Sequence, residues 1–241
     1  MLTTLHIITL NTVKYSDRTS ILTAYSRESG RISFAIQAGN GREAARRRAL
    51  LMPLSVVECV ADVVPGRELL TMREPRALMP AHMVHMDAAR SVIALFICDV
   101  LGAVLRESQP DELMWDFVAD AVAHLNDESV QVANFPLAFM VLLSRFTGVE
   151  PDWSGWSTGS VFDMSDGIFR ATPPLHRYWL GVSESALAAS LGRITWRNMR
   201  VYRFNREQRA RILDMILQYY TLHYANLSNL KSIEVLHALF D

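Results

Sequence analysis

The sequence predicts an α+β protein: a five-stranded antiparallel barrel over residues 1–80, then a mainly α-helical domain over 81–241 with a small β-hairpin insertion at about 149–172. Three observations carry this reading. As far as residue 80 the apolar residues come in short β-rich runs with partial alternation, punctuated by Gly and Pro. From about residue 82 the apolar runs lengthen and take helical spacing. Formal charge segregates along the chain, +4 over residues 1–80, −8 over 81–152 and +3 over 153–241, within a net charge of −1.

The strands follow in order as "TLHIITLN", "SILTAYSRE", "RISFAIQA", "LSVVECVADVV" and "ELLTMRE". "ESGR" joins the second and third as a tight hairpin, with Gly30 free to take positive φ. Pro53, Pro65-Gly66 and Pro75 punctuate the remainder. Five short strands with alternating faces suit a barrel of the oligonucleotide/oligosaccharide-binding (OB) type, whose loops and one sheet face bind single strands.

The helical part opens with "MVHMDAARSVIALFICDVLGAVLRE", apolar on nearly all sides and therefore buried. "QPDELMWDFVADAVAHLND" places Pro110, Asp111 and Glu112 where a helix start favours them. "VANFPLAFMVLLSRFTG" is a third helix, ended by Gly148. A loop and hairpin follow, turning at Asp166-Gly167, and "SESALAASLG" is a short helix with Ser183 as its expected cap. "NREQRARILDMILQYYTLHYANL" and "KSIEVLHALF" close the chain as helices.

Half of the 241 residues are hydrophobic and a fifth are charged, as in an ordinary globular chain. No apolar run reaches the about 20 residues that span a bilayer, so no membrane is expected. The start of the chain lacks a basic leader with an apolar block, and Cys59 and Cys98 lie far apart in dissimilar contexts. A reduced, cytoplasmic protein is the expectation.

"GNGREA" fits the G-x-G-x-x-A pattern of a dinucleotide loop through Gly39, Gly41 and Ala44, with Glu58 near the ribose-binding spacing. That pattern needs a βαβ unit with continuously apolar parallel strands, whereas "RISFAIQA" alternates and belongs to a hairpin. A mimic is therefore expected. His82 and His85 have helical spacing without the companions of a metal site. Asp163 and Asp166 flank a turn, where Asp serves backbone hydrogen bonding. No nucleophile elbow appears. No enzyme, cofactor or metal is expected.

Two arginine clusters remain. Arg42, Arg46, Arg47 and Arg48 face only Glu43 nearby, on what reads as a loop between barrel strands. They fit a phosphate backbone, and they also fit a solvated surface. Arg193, Arg197, Arg200, Arg203, Arg206, Arg209 and Arg211 are opposed only by Glu207, with Trp196, Tyr202 and Phe204 interleaved. Arginine with aromatics suits single strands. The aromatics read better as core anchors, and the arginines have the acidic middle segment as a competing partner.

The order of these features resembles the RecO family of bacterial recombination mediators over essentially the whole chain. The resemblance is carried by "GRISFAIQAGNG…RRRALLMPLSVVE", "FPLAFMVLLSRFTGVEPD", "FDMSDGIF" and "LKSIEVLHALF". It implies an OB barrel, a helical domain and no active site. It further implies binding of single- and double-stranded DNA, strand annealing, partnership with RecR, and help in loading RecA onto strands coated by single-stranded-DNA-binding protein (SSB), with a nucleoid-associated location. By position, Arg42, Arg46, Arg47 and Arg48 fall in the basic loop of the family's barrel, while Arg197, Arg200 and Arg203 rest on charge alone. The alternative is an interaction scaffold for which DNA contact is incidental. Many relatives carry four zinc-spaced cysteines after Gly-x-x-Pro, whereas residues 149–171 here hold none. Packing of Trp153, Trp156, Phe162 and Phe169 is expected to hold the hairpin instead.

Overall fold

The computed structural model describes residues 2–64, 66–105 and 109–239; Pro65, the Arg106 and Glu107 end of the first helical run, and Phe240 lie outside them. The chain divides into two compact units, Met1–Val130 with Lys231–Leu236 and Gln131–Leu230 with His237–Asp241. Composition changes character near residue 80, but helices up to residue 130 belong with the sheet.

In the first unit, β1 (Leu2–Lys14), β2 (Thr19–Ser26), β3 (Gly30–Gln37), β4 (Val56–Asp62), β5 (Leu69–Thr71) and β6 (Arg73–Ala77) form one sheet in the order β5-β3-β2-β1-β4-β6. β1 passes from one neighbour to the other. Its Leu2–Ile8 stretch pairs with β4 and Ile7–Lys14 pairs with β2, across a bulge between Thr9 and Asn11. Gly30 turns the β2–β3 hairpin at φ 67°. β5 and β6 stand at opposite edges of the sheet, yet Met72 alone separates them in the chain. Two Cα–Cα steps of about 3.8 Å join Thr71 to Arg73, so the sheet curls to bring the end of one edge strand beside the start of the other.

The α+β class, with a barrel-like sheet followed by helices, stands, and two details differ. "ELLTMRE" is two strands because each half finds a different edge. β5 also runs parallel to β3, pairing Phe34 with Leu70. Inside the curl lie Leu5, Ile7, Leu22, Phe34, Val57 and Leu70. Ile8 and Leu10 are buried as well, which is why β1 reads as a nearly continuous apolar run.

The first helical run is two helices, α2 (His82–Met86) and α3 (Ala88–Val104), because Asp87 leaves helical geometry and caps the second through the Arg90 amide. α3 packs along β1, and the Arg31 guanidinium donates to the Gly102 carbonyl at 2.7 Å. α4 (Glu112–Asn126) starts at Asp111, as its sequence predicts. Arg90, 5% exposed, donates to the Leu125 carbonyl in the last turn of α4 and to the Val130 carbonyl beyond it, where unpaired carbonyls favour a cation.

In the second unit, α5 (Phe135–Thr147) is buried from Phe135 to Ser144 and ends at Gly148, φ 71°. β7 (Val161–Asp163), β8 (Ile168–Arg170) and β9 (Trp179–Leu180) form a small sheet ordered β8-β7-β9. Gly167 turns the hairpin at φ 70°, and a methyl group there would lie 2.7 Å from the Tyr219 hydroxyl. Trp153, Phe169 and Tyr219 pack on Phe162 with ring centroids 5.0–6.0 Å away. Trp156 does not join them: it is 43% exposed. α6 (Val182–Leu191) is capped by Gly181, whose amide donates to Glu184, so Ser183 is not the cap. α7 (Arg206–His223) starts at Asn205, and α8 (Ser232–Leu239) is the last element among the described residues. Among the described residues no helix is long and apolar enough to cross a membrane.

Candidate nucleic-acid interface

The arginine stretch expected to be a loop is a helix, α1 (Arg42–Leu50). "REAARRRAL" consists wholly of good helix formers. Glu43 lies in the first turn and Arg47 and Arg48 in the last, matching the helix dipole, so charge and propensity agree. No residue of α1 is buried. It is held at its end instead, where Leu51 enters the sheet core and the turn Leu51–Ser55 packs on β1.

That turn is fixed by Thr9, which is fully buried. Its hydroxyl donates to the Met52 carbonyl at 2.5 Å and accepts from the Ser55 amide at 2.9 Å. Leu54, φ 59°, takes the left-handed conformation and donates its amide to the Thr9 carbonyl at 2.9 Å. A buried, non-glycine residue holds such strain only when its surroundings over-determine it. Thr9, read from sequence only as part of a strand, positions the basic helix.

Around α1, successive residues turn by about 100°. Arg42 and Arg46 share a face, while Arg47 and Arg48 turn away, so the helix is ringed with charge. Arg42, Arg46 and Arg48 are exposed and Arg47 is half-buried. Among the described residues none of the four has a carboxylate within ion-pair distance; Arg48 donates to the Gly39 carbonyl at 2.7 Å. Two recesses flank the helix, one lined by Arg46 and Arg47, the other by Arg47 and Arg48.

The dinucleotide pattern is a mimic. β3 precedes α1 and β4 follows it, but β3 pairs with β2 and β5, and β4 with β1 and β6. The βαβ context is missing. His85 sits with its Nε2 3.0 Å from the Pro53 carbonyl oxygen, and among the described residues no cluster of three or more His, Cys, Asp or Glu is placed to hold a metal ion. Burial pushes the Cys59 thiol up to about 12, with the Glu28 and Glu58 charges adding to it, which removes it as a nucleophile at neutral pH.

The second cluster lies in the other unit. Arg197, Arg200 and Arg203 are exposed on and around a single helical turn at Met199–Val201. Their aromatic neighbours are structural: Trp196 stacks on Phe135 at 4.8 Å, and the Tyr202 hydroxyl donates to the Ser190 carbonyl at 2.8 Å. Asn134 donates to the Met199 and Tyr202 carbonyls at 2.9 and 2.7 Å, fixing the turn. Arg211 pairs with Glu207 at 2.7 Å, and Arg209 donates to the Phe204 carbonyl at 2.5 Å. Among the described residues Arg197, Arg200 and Arg203 have no ion-pair partner in the acidic segment.

Sequence reasoning passed over the tip of the β1–β2 hairpin, where Lys14, Tyr15 and Arg18 are all exposed. The signal is the turn-forming "YSDR" between two apolar runs; β1 continues past Asn11 to Lys14, where polar residues leave no alternation to mark a strand. It also read Asp163 only as a turn residue. Asp163 is 1% exposed, accepts from the Ser165 and Asp166 amides at 2.9 and 3.2 Å, and pairs with Arg170 at 2.7 Å. Burial opposes its charge, but these donors, with His176 3.4 Å away, outweigh it and hold its carboxyl below the usual range.

A curled N-terminal sheet of OB type with an exposed, arginine-ringed helix, continued by helices and a small sheet, defines a two-unit α+β protein with a basic helix on the surface of its first unit. The chain belongs to the RecO family of DNA repair and recombination proteins: the models described as Recombination protein O N terminal and Recombination protein O C terminal match residues 1–79 and 85–233. It is similar to the DNA repair protein RecO of Bacteroides fragilis, 32% identical over 235 residues, and of Porphyromonas gingivalis, 32% over 238. The corresponding protein of Flavobacterium psychrophilum is 26% identical over 236 residues. Each alignment covers 97% of this chain and 97% of the relative.

Proposed function

We propose that the chain is a non-enzymatic DNA repair and recombination mediator. It binds single- and double-stranded DNA, promotes annealing of complementary strands, and works with RecR to load RecA onto SSB-coated single strands at the nucleoid. The observation that supports this best is α1, which carries four guanidinium groups with no carboxylate partner among the described residues on a helix in which no residue is fully buried. Such groups contribute little to the fold, and their charge is available to phosphates. Annealing then needs no covalent step: a cationic surface screens the repulsion between two strands and raises their local concentration. Arg197, Arg200 and Arg203 form a second contact in this reading.

The test is fluorescence anisotropy with labelled single-stranded DNA across a salt series. Each single-strand phosphate neutralised contributes about 0.7 to the log–log slope. Replacing Arg46, Arg47 and Arg48 together by Ala is expected to flatten the slope by about 2. Alanine is at least as good a helix former as arginine, so α1 itself persists. An unchanged slope would remove α1 as the contact. RecR retention by the same variant in a pull-down separates the partner role from DNA binding.

A further inference from the structure

We propose that the recess between α1 and the β1–β2 hairpin accepts an unpaired nucleotide base, so that single strands are gripped by their bases as well as their phosphates; this rests on the DNA-binding reading above. The recess has a volume of about 470 Å³. Its floor is apolar, formed by Leu10, Ile36 and Leu51. Its rim is polar, with Thr12 and Gln37 exposed, and Arg47 and Arg48 stand at its edge. A flat apolar ring with hydrogen-bonding edges, tethered to a phosphate, matches that arrangement. A duplex keeps its bases stacked and paired, so only an unpaired base enters without prior unstacking.

The hairpin supplies the second observation. The Ala38 amide donates to the Arg18 carbonyl at 2.8 Å, and Arg48 donates to the carbonyl of the next residue, Gly39, at 2.7 Å. The hairpin tip and the Arg48 head group therefore converge on two consecutive residues beside the recess. Tyr15 at that tip is 74% exposed, with Lys14 and Arg18 on either side of it in the chain. Among the described residues Arg18 has no carboxylate partner, and Lys14 pairs only with Asp17 at the surface, a contact of small worth. An aromatic ring held in water among cations is the arrangement on which successive bases stack while phosphates take the charge.

The experiment titrates the full-length protein at one salt concentration against three labelled probes: oligo(dT), an abasic strand of equal length, and a duplex. The abasic strand carries the same phosphates without bases. Oligo(dT) is expected to bind about tenfold tighter than the abasic strand, the scale of one base stack. Thr12→Met extends an aliphatic side chain into the recess from an exposed strand position without adding a ring on which a base could stack, and is expected to abolish that preference while leaving duplex affinity unchanged. Tyr15→Ala, at a side chain that makes no ring contact among the described residues, is expected to reduce the preference in part. Equal binding of oligo(dT) and the abasic strand by the unaltered protein overturns the base site and leaves the phosphate reading standing. A preference that survives both substitutions overturns the recess as its location. Failure of all three probes to bind overturns the DNA-binding reading itself.

Discussion

Two buried polar residues do work that their neighbours in the chain do not announce. Thr9 holds the turn that seats α1. Thr9→Val keeps the shape and removes the hydroxyl, so stability is expected to fall by about 1–3 kcal/mol, with faster hydrogen exchange of the α1 amides. An unchanged urea midpoint would show that the turn does not depend on it. Asp163 is the corresponding residue of the small sheet. Its carboxyl is held below the ordinary value, so its stabilisation is present above the unfolded value of about 3.9 and is lost as pH falls through the lower, folded value. Asp163→Ala is expected to cost about 1–3 kcal/mol at neutral pH by orphaning two amides and Arg170. Its stability should also respond less to acid below about pH 4, which denaturant melts at stepped pH measure directly.

Among the elements, the ones the sequence specifies locally were legible. α4 and α7 begin at Asp111 and Asn205, whose side chains accept from amides three residues on, and α5 ends at Gly148. A cap is a contact between near neighbours, so a short stretch is enough to read it. α1 carries no such local mark: Gly39, Asn40 and Gly41 before it read as loop, and the helix has no buried apolar stripe to give it a period. Ser183 gave way to Gly181 because the Glu184 side chain reaches back to the earlier amide. Glycines separate the same way. Gly167→Ala meets both positive φ and the Tyr219 hydroxyl, and is expected to destabilise by more than about 1 kcal/mol. Gly102→Ala, within α3 and with nothing inside 4 Å, is expected to stabilise by up to about 1 kcal/mol. Thermal unfolding of the two variants should therefore move in opposite directions.

At the scale of the molecule, the last helix returns part of the chain's end to the first unit: Lys231–Leu236 belong with it, and the Ser232 amide donates to Asp99 on α3 at 3.0 Å. Leu236 is fully buried, so Leu236→Ala is expected to cost about 2–5 kcal/mol and to lower hydrogen-exchange protection in α3, far away in sequence. Loss confined to α8 would contradict that. By itself the sequence determined the α+β class, the succession from β-rich to helical segments with α1 excepted, the two arginine clusters and the family resemblance, because periodicity, caps and charge are properties of neighbouring residues. Only the tertiary structure decided that one strand run serves both edges of the curled sheet, that Thr9 seats the basic helix, that Asp163 is a buried charge, and that a recess opens beside Arg48. Each of these joins residues far apart in the chain, and no local pattern encodes which distant partner a side chain meets.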